Sequence, residues 1–412
     1  MLIPMEAQIY ATEIVKKLVS AGHIAYFAGG WVRDYLMGHP SDDIDIATDA
    51  SPEKILDLFP RTILVGLAFG IVIVVVDGHQ FEVATFRRDL NYVGGRRPEK
   101  IEMTTPEEDA TRRDFTINGM FYNPLTEEIH DYVQGKHDLK LGIIRCIGNP
   151  YERFAEDRLR MVRAVRFAAR FGFAIDLETQ EAIKENCDSL FPSVAIERLW
   201  QEFNKMTAFP NFDSALIELH RLGLLPIIFP ALEKVHLNTI KKSVSNFKNY
   251  PEKCPTILYL MALFPEATTE EALEICQYMR TSGKEAKLVE YYLEGKKLVG
   301  EGTDNRTIWT HFYAHPHSEL CLEVIAANLT EPERIEFCEK HHKQRLLLEK
   351  HIKRIQDKKP SITAAMLQNE GIPQGKIMGT LIKEAEILSI QNDLHDPEEI
   401  LIALKKSSNW PK

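Results

Sequence analysis

The first third of the chain alternates between two hydrophobic patterns, one typical of helices and one typical of strands. Apolar residues recur at helical spacing over residues 4–21, which predicts an amphipathic helix. Runs rich in Val, Ile and aromatic residues predict strands at residues 23–28, 42–48, 71–76 and 80–86. The last two runs flank Asp77-Gly78, a dipeptide that favours a tight hairpin turn. This part of the chain is therefore predicted to form an α+β domain with a small mixed β-sheet.

The rest of the chain has a different pattern. Residues 88–111 are polar and contain Gly94-Gly95, which predicts a mobile loop or lid. Beyond residue 150 the apolar spacing is helical almost throughout, starting with a predicted helix over residues 150–170 and including a basic segment at 340–359. An all-α region is thus expected to follow the α+β domain.

Composition narrows the class of protein. The 412 residues suffice for two or more domains, and the net charge of −10 argues against indiscriminate coating of nucleic acid, although a local basic cleft remains compatible with it. Six scattered cysteines form no C-x-x-C pair, which speaks against a zinc site or a disulfide framework and fits a reducing compartment. No stretch reaches the ~18 apolar residues that a membrane span needs. A cytoplasmic protein with no membrane partner is expected.

The segment 27–48 combines features of a nucleotide site. Gly29 and Gly30 lack a Cβ atom, so the backbone there can approach a phosphate closely, and Arg33 follows within one helical turn. Asp43 and Asp45 flank Ile44, and on a strand this spacing puts both carboxylates on one face. Two adjacent carboxylates repel each other unless a cation lies between them, and Mg²⁺ with triphosphate oxygens fits that place.

Two further segments carry clustered charge. Arg112 and Arg113 precede Asp114, which can hold one of the two guanidinium groups, and paired arginines suit a triphosphate. Asp157 and Arg160 lie three apart on the predicted helix 150–170, so they share a face and can pair. Such a pair presents an acceptor and several donors together, which matches the Watson–Crick edge of a base. An ordinary salt bridge on a solvated helix is the alternative interpretation.

Four of these motifs resemble one family. GGWVRD, DDID, RRDFTIN and EDRLR, at residues 29–34, 42–45, 112–118 and 156–160, resemble the signatures of the class II (bacterial-type) tRNA nucleotidyltransferase and poly(A) polymerase family. The resemblance implies a nucleotidyltransferase head followed by an all-α neck, body and tail. It divides the chain into a catalytic head (1–149), a nucleotide-selecting neck (150–207), a helical body (208–335) and a tRNA-binding tail (336–412).

The resemblance also implies roles for individual residues. Asp43 and Asp45 would bind Mg²⁺, with Glu82 as a third catalytic carboxylate. The nucleotide would be bound by Gly30, Arg33, Arg113, Asp157, Arg160, Arg163 and Arg166. Gly375 and Lys376, at a predicted helix start in the tail, would bind an RNA phosphate.

The implied reaction is the transfer of CMP and AMP from CTP and ATP to the 3′ end of tRNA without a nucleic-acid template, with release of pyrophosphate. An enzyme that adds only the terminal AMP and a poly(A) polymerase share these motifs and remain alternatives. A tRNA-binding protein without activity is disfavoured because the carboxylates and the E-D-x-x-R motif are complete. The sequence does not determine the oligomeric state.

Overall fold

The protein divides into two compact units, Met1–Lys242 and Ser243–Lys412. The computed structural model describes residues 6–39, 41–64, 70–93 and 97–411, with the backbone alone at 89–93 and 97–100. The first unit contains a mixed sheet and the second is helical, so the predicted fold class is confirmed. The finer division into head, neck, body and tail stays a prediction.

The sheet of the first unit has seven strands in the order β3-β4-β5-β2-β1-β8-β9. The strands are β1 (Ala25–Ala28), β2 (Asp45–Thr48), β3 (Thr62–Ile63), β4 (Ile71–Val76), β5 (His79–Thr85), β6 (Arg87–Val93), β7 (Arg97–Met103), β8 (Met120–Asn123), β9 (Glu128–Asp131), β10 (Ile143–Ile144) and β11 (Ala174–Ile175). The sheet is mixed because β2 pairs in parallel with β5, whereas β1 pairs antiparallel with both β2 and β8. Two small ribbons, β6-β7 and β10-β11, lie outside it.

Helices surround this sheet and make up the second unit. Those that begin in the first unit are α1 (Glu6–Ser20), α2 (Gly30–Leu36), α3 (Pro52–Leu58), α4 (Pro106–Thr111), α5 (Gly135–Leu141), α6 (Pro150–Glu156), α7 (Leu159–Phe171), α8 (Leu177–Asn186), α9 (Ile196–Thr207), α10 (Phe212–Arg221), α11 (Leu224–Ile228) and α12 (Leu237–Val244). Those of the second are α13 (Thr256–Met261), α14 (Thr269–Tyr278), α15 (Gly283–Glu301), α16 (Arg306–Ala314), α17 (Ser318–Ala327), α18 (Glu331–Leu347), α19 (Glu349–Gln356), α20 (Ala364–Asn369), α21 (Lys376–Gln391) and α22 (Pro397–Leu404). In the part of the chain that the structure describes, no helix combines the length and hydropathy needed to cross a bilayer.

Alternation of apolar and polar residues fixes which face of the sheet is buried. Ile46 and Val83 pair across β2 and β5 and are fully buried in a core that also contains Leu18 of α1. The predicted hairpin is confirmed: β4 pairs antiparallel with β5 from Val76 opposite His79, and Asp77-Gly78 forms the turn. Both turn residues have positive φ, 49° and 86°, as the favoured two-residue hairpin turn requires.

Residues 88–111 differ from the predicted loop. The described backbone forms the antiparallel ribbon β6-β7, with Arg87 opposite Met103, and helix α4 follows. Thr105 caps α4 by accepting a hydrogen bond from Glu108 N at 3.4 Å. Residues 94–96, where Gly94-Gly95 was expected to give mobility, lie outside the described residues. A two-stranded ribbon with little core of its own has the same polar composition as a loop. Polarity alone therefore does not distinguish the two.

The single helix predicted over residues 150–170 is also wrong. The chain forms α6 and α7 with a break at Asp157, whose backbone is extended (φ −149°, ψ 104°). Asp157 Oδ1 accepts a hydrogen bond from Leu159 N at 3.1 Å, so this side chain caps the start of α7. The break follows from this side-chain cap, which the 3.6-residue spacing of apolar positions does not reveal.

Candidate active site

The glycine pair forms the turn between β1 and α2. Gly29 has φ 66° and precedes the first helical residue, Gly30. A Cβ atom on Gly29 would lie 2.9 Å from Nη1 of Arg113, closer than real side chains allow. Glycine is therefore required here both by backbone conformation and by the close approach of a guanidinium group.

The two aspartates lie where β2 begins. Ile44 is buried, whereas Asp43 and Asp45 are exposed. A strand over residues 42–48 was predicted to carry both aspartates, but the observed strand begins at Asp45. The parallel register pairs Ile46 with Val83, so its continuation by one residue brings Asp45 beside Glu82. Asp43 itself precedes the strand.

Burial and charge repulsion both affect the carboxyl of Asp45 in this group. Asp45 reaches the solvent, but the surrounding protein still desolvates its carboxyl, and this burial, with the charges of Glu82 and Asp43, raises its pKa to about 6. Arg113 opposes the shift. A cation would relieve the repulsion, and an all-oxygen donor set fits a hard divalent ion. Among the described residues, however, Asp43, Asp45 and Glu82 are not a group with all ligand atoms within 4.8 Å of one another.

The paired arginines are held by an aspartate that was not among the predicted site residues. Asp109 of α4 is 1% exposed and forms ion pairs with Arg112 at 2.7 Å and Arg113 at 3.0 Å. Burial favours a higher pKa for Asp109, but the charges of Arg113 and Arg112 outweigh it and lower the pKa. Asp114, expected to hold one of these arginines, instead accepts from Arg163 Nε at 2.9 Å. The spacing of Asp109 and Arg113, four apart, is a signal that could have identified this pair.

Arg33, on α2 just after the glycine turn, has a buried side chain. Its Nε donates to Asp34 Oδ1 at 2.8 Å, and its Nη1 donates to Asn118 Oδ1 at 2.5 Å. The guanidinium also lies over the ring of Phe171, 4.7 Å from the centroid. Asp34 is shared with Arg170 at 3.2 Å. These contacts fix the position of the Arg33 charge before any ligand binds.

Two arginines of α7 are anchored in the same way. Arg163 pairs with Asp114 at 2.5 Å, and Arg166 Nε donates to Glu202 Oε2 of α9 at 2.5 Å. Glu202 is buried and lies 3.8 Å from Arg163 as well. Burial lowers the pKa of Arg166, and the charge of Glu202 opposes that shift. Because Glu202 is 36 residues from Arg166, sequence spacing gives no signal for this contact.

These elements enclose a cleft of about 590 Å³. Its described lining contains the cationic residues Arg33, Arg113, Arg163, Arg166, Arg170 and Lys205, and the acidic residues Asp45 and Asp114. Gly29, Gly30 and two phenylalanines, Phe167 and Phe209, also line it. A positively charged cleft with one aspartate whose pKa is raised suits a polyphosphate ligand accompanied by a cation.

The predicted base-reading pair is not assembled. Asp157 is held by Arg198 of α9 through two contacts of 3.1 and 2.6 Å. Arg160 pairs with Glu156 and donates to the backbone oxygen of Arg153 at 2.9 Å. The break between α6 and α7 explains this: once Asp157 leaves the helix, it no longer shares a helical face with Arg160.

The structure thus gathers some predicted site residues and not others. The described lining of the cleft includes Gly30, Arg33, Asp45, Arg113, Arg163 and Arg166, but not Asp43, Glu82, Asp157 or Arg160. Gly375 and Lys376 belong to the second unit, where Gly375 is the N-cap of α21, so the predicted helix start is confirmed, and both residues are exposed.

Two family models match the first unit. The model described as the poly A polymerase head domain matches residues 25–145, and the model described as a probable RNA and SrmB-binding site of polymerase A matches residues 172–235. The curated relatives include a CCA-adding enzyme of Ligilactobacillus salivarius, 33% identical over 402 residues, which are 95% of this chain and 94% of the relative. A CCA-adding enzyme of Bacillus subtilis is 44% identical over 199 residues, 48% of this chain and 50% of the relative.

Solved structures agree over nearly the full length. A Bacillus stearothermophilus CCA-adding enzyme in complex with CTP has a TM-score of 0.79 and 27% identity, with 98% of each chain covered. A Thermotoga maritima CCA-adding enzyme complexed with tRNA has a TM-score of 0.70, covering 98% of this chain and 95% of the other. At 20% identity, the second likeness concerns the fold alone.

Proposed function

This chain belongs to the family of CCA-adding enzymes, and from that premise we propose that it adds CMP and AMP to the 3′ end of tRNA without a nucleic-acid template, releasing pyrophosphate. The observation that carries this proposal is the cleft in which Arg33 and Arg113 lie near Asp45. Guanidinium groups bind phosphate oxygens through two parallel hydrogen bonds, so the cleft suits the triphosphate of CTP or ATP. The compartment we propose is the cytoplasm, where tRNA is available.

Nucleotidyltransferases of this family generally use a divalent metal. We infer that Mg²⁺ is this metal here, with Asp43 and Asp45 as ligands and Glu82 as the third carboxylate. The raised pKa of Asp45 supports the inference, because negative charges that repel one another are stabilised by a cation. Held by Asp43 and Asp45, the metal would supply Lewis-acid chemistry to activate the 3′-hydroxyl of the primer and to stabilise the leaving pyrophosphate.

The side chains of the cleft would perform the binding and positioning steps. Arg33 and Arg113 would bind the triphosphate, since buried carboxylates already hold their guanidinium groups in place. Gly30, at the start of α2, would let a phosphate approach the backbone. Arg163 and Arg166 would contact the nucleotide or the primer end from α7. Binding of this kind lowers the barrier by fixing the reacting groups in position.

We propose that Asp157 and Arg160 select the base, although their side chains have other partners in this state. An ionised carboxylate can accept about four hydrogen bonds, so Asp157 can remain on Arg198 and still accept from the exocyclic amine of cytosine or adenine. Arg160 would turn from Glu156 towards the base. In this proposal the pair assembles around the nucleotide.

The second unit would bind tRNA away from the reacting end. Gly375 and Lys376 begin α21, a helix of 16 residues, and are exposed. The helix N-terminus and the Lys376 ammonium group both favour a phosphate. The segments 150–207, 208–335 and 336–412 would accordingly serve nucleotide selection, body and tRNA binding, with 1–149 as the catalytic head.

One experiment separates the possible reactions. The purified protein is offered tRNA ending before CCA, after C or after CC, with CTP and ATP together, each labelled in turn, and Mg²⁺ present. The proposal predicts completion of CCA on every primer and no further extension. Growth only of the primer ending in CC, by one AMP, would indicate an A-adding enzyme. Extension by many AMP residues would indicate a poly(A) polymerase, and no extension would contradict all three.

A further inference from the structure

Two histidines and an aspartate converge in the second unit. His351 lies on α19, and Asp393 and His395 lie in the turn between α21 and α22. Each residue offers one ligand atom, and these atoms all lie within 4.8 Å of one another. Among the described residues, His351, Asp393 and His395 form the group of three potential metal ligands that meets this distance.

The two imidazoles face the same carboxylate oxygen. Nε2 of His351 lies 3.2 Å from Asp393 Oδ1, and Nε2 of His395 lies 3.7 Å from the same atom. The two rings lie 4.5 Å apart between centroids. In a tetrahedral zinc site, ligand atoms ~2.0–2.1 Å from the ion are separated from one another by roughly 3.3 Å. The two carboxylate-to-imidazole distances, 3.2 and 3.7 Å, therefore lie near the edge length of a tetrahedron around a small cation.

We propose that His351, Asp393 and His395 bind Zn²⁺ or a similar divalent transition metal, with water as a fourth ligand. Imidazole nitrogens favour such metals over Mg²⁺, which prefers oxygen ligands, so this site differs in chemistry from the carboxylates of the first unit. The bound metal joins α19 to the turn that precedes α22. Its role is to stabilise the helical packing of the second unit, and it takes no part in nucleotide transfer.

The surroundings support this assignment and identify one competitor. The side chain of His351 is fully buried, so its ring is held in place before a metal arrives. Nδ1 of His351 has no hydrogen-bond partner among the described atoms. The missing hydrogen bond costs free energy in either tautomer, so it favours neither the metal-bound nor the metal-free protein. Asp393 has φ 55°, a left-handed backbone conformation that aspartate adopts more readily than most residues. Arg306, 3.4 Å from Asp393 and partly exposed, is a cation that must turn away when a metal binds.

The test measures metal uptake by the full chain. The protein is stripped with a chelator, supplied with excess Mg²⁺ to occupy oxygen sites, and dialysed against buffered Zn²⁺. Asp393→Asn and His395→Gln remove one ligand each, and asparagine keeps the positive φ accessible. His342→Gln, at an exposed histidine on α18, is the matched control. Wild type and the control should each retain one more Zn²⁺ per chain than the two ligand variants.

Stability and affinity give independent measurements. With free Zn²⁺ ~100-fold above its dissociation constant, the Tm of wild type should rise by about 5–10 °C, and the Tm of the two ligand variants should not. Arg306→Gln should tighten Zn²⁺ binding roughly fivefold, because a competing positive charge is removed. Equal Zn²⁺ uptake by wild type, Asp393→Asn and His395→Gln would overturn the proposal. Weaker binding by Arg306→Gln would contradict Asp393 as a ligand.

Discussion

Two regions of the first unit differ in the partners that hold their functional side chains. In the cleft, Arg33 and Arg113 are already held by carboxylates, and they face the space that a ligand would fill. In the segment between α6 and α7, Asp157 and Arg160 are held just as firmly, but by Arg198 and Glu156 rather than by each other. The first group is assembled, whereas the second group must change partners to act.

This difference corresponds to what each part would recognise. A triphosphate is common to all nucleotides, so a permanently assembled set of arginines serves any of them without rearrangement. A base that changes during the reaction, from cytosine to adenine, requires hydrogen-bonding groups that can be rearranged. We therefore propose that the cleft provides binding strength and that the segment around Asp157 provides discrimination between bases.

Removal of the carboxylate of the cleft should have the largest effect. Asp45→Asn keeps the shape of the side chain but removes its charge, and metal binding contributes several kcal/mol to this type of catalysis. We expect transfer to fall about a thousandfold or more, with tRNA affinity nearly unchanged. Asp42→Asn, at the neighbouring exposed aspartate, is the control. Single-turnover rates near wild type in Asp45→Asn would contradict the assignment of the metal site.

Loss of the buried partner of the arginines should come next. Asp109→Asn leaves Arg112 and Arg113 without a buried negative charge, and breaking a buried ion pair costs about 3–5 kcal/mol. We expect a lower free energy of unfolding, measured by urea denaturation, and a higher KM for CTP and ATP alike. Glu107→Gln, at an exposed position on the same helix, should change neither. An unchanged KM would show that Asp109 does not position Arg113 for the nucleotide.

The anchor of Asp157 should have a smaller and more selective effect. Arg198→Gln removes two hydrogen bonds from this carboxylate without touching the cleft lining. We expect discrimination of CTP over UTP to fall by roughly tenfold, since a poorly positioned acceptor loses about 1–1.5 kcal/mol of hydrogen bonding. Arg221→Gln, another arginine of the first unit, is the control. Unchanged discrimination would show that Arg198 does not position Asp157 for selection of the base.

The contrast between these parts also separates what the sequence could predict from what it could not. The glycine turn and the hairpin at Asp77-Gly78 follow from local chemistry, and the structure has them. The contacts from Arg166 to Glu202 and from Arg163 to Asp114 join residues 36 and 49 apart, so tertiary packing alone creates them.

The helix break at Asp157 is an intermediate case. A capping aspartate is a local signal, but here it competes with a strong helical apolar pattern on both sides. The pattern predicted one continuous helix, and with it a shared face for Asp157 and Arg160. The same local error therefore produced both the wrong helix and the wrong pairing.

The smallest predicted effect is on stability. Burial and neighbouring negative charges raise the pKa of Asp45 from 3.8 to about 6 on folding, so ionisation of this carboxyl destabilises the fold progressively as the pH rises from about 4 to about 6, and fully above that. Without divalent metal, Asp45→Asn should therefore raise the Tm by about 1–3 °C at pH 8 and leave it nearly unchanged near pH 3, where Asp45 is largely protonated in both the folded and the unfolded state. A rise of equal size at both pH values would show that charge is not the cause.

The most direct test of the account compares one residue from each part. The measurement is kcat/KM for CTP, ATP, UTP and GTP on a tRNA primer, in wild type, Arg113→Gln and Asp157→Ala. Arg113→Gln should lower all four values by a similar factor, because it weakens binding of the shared triphosphate. Asp157→Ala should lower the values for CTP and ATP and reduce discrimination against UTP and GTP by about ten- to a hundredfold. Unchanged ratios in Asp157→Ala, or altered ratios in Arg113→Gln, would contradict the division between binding and selection.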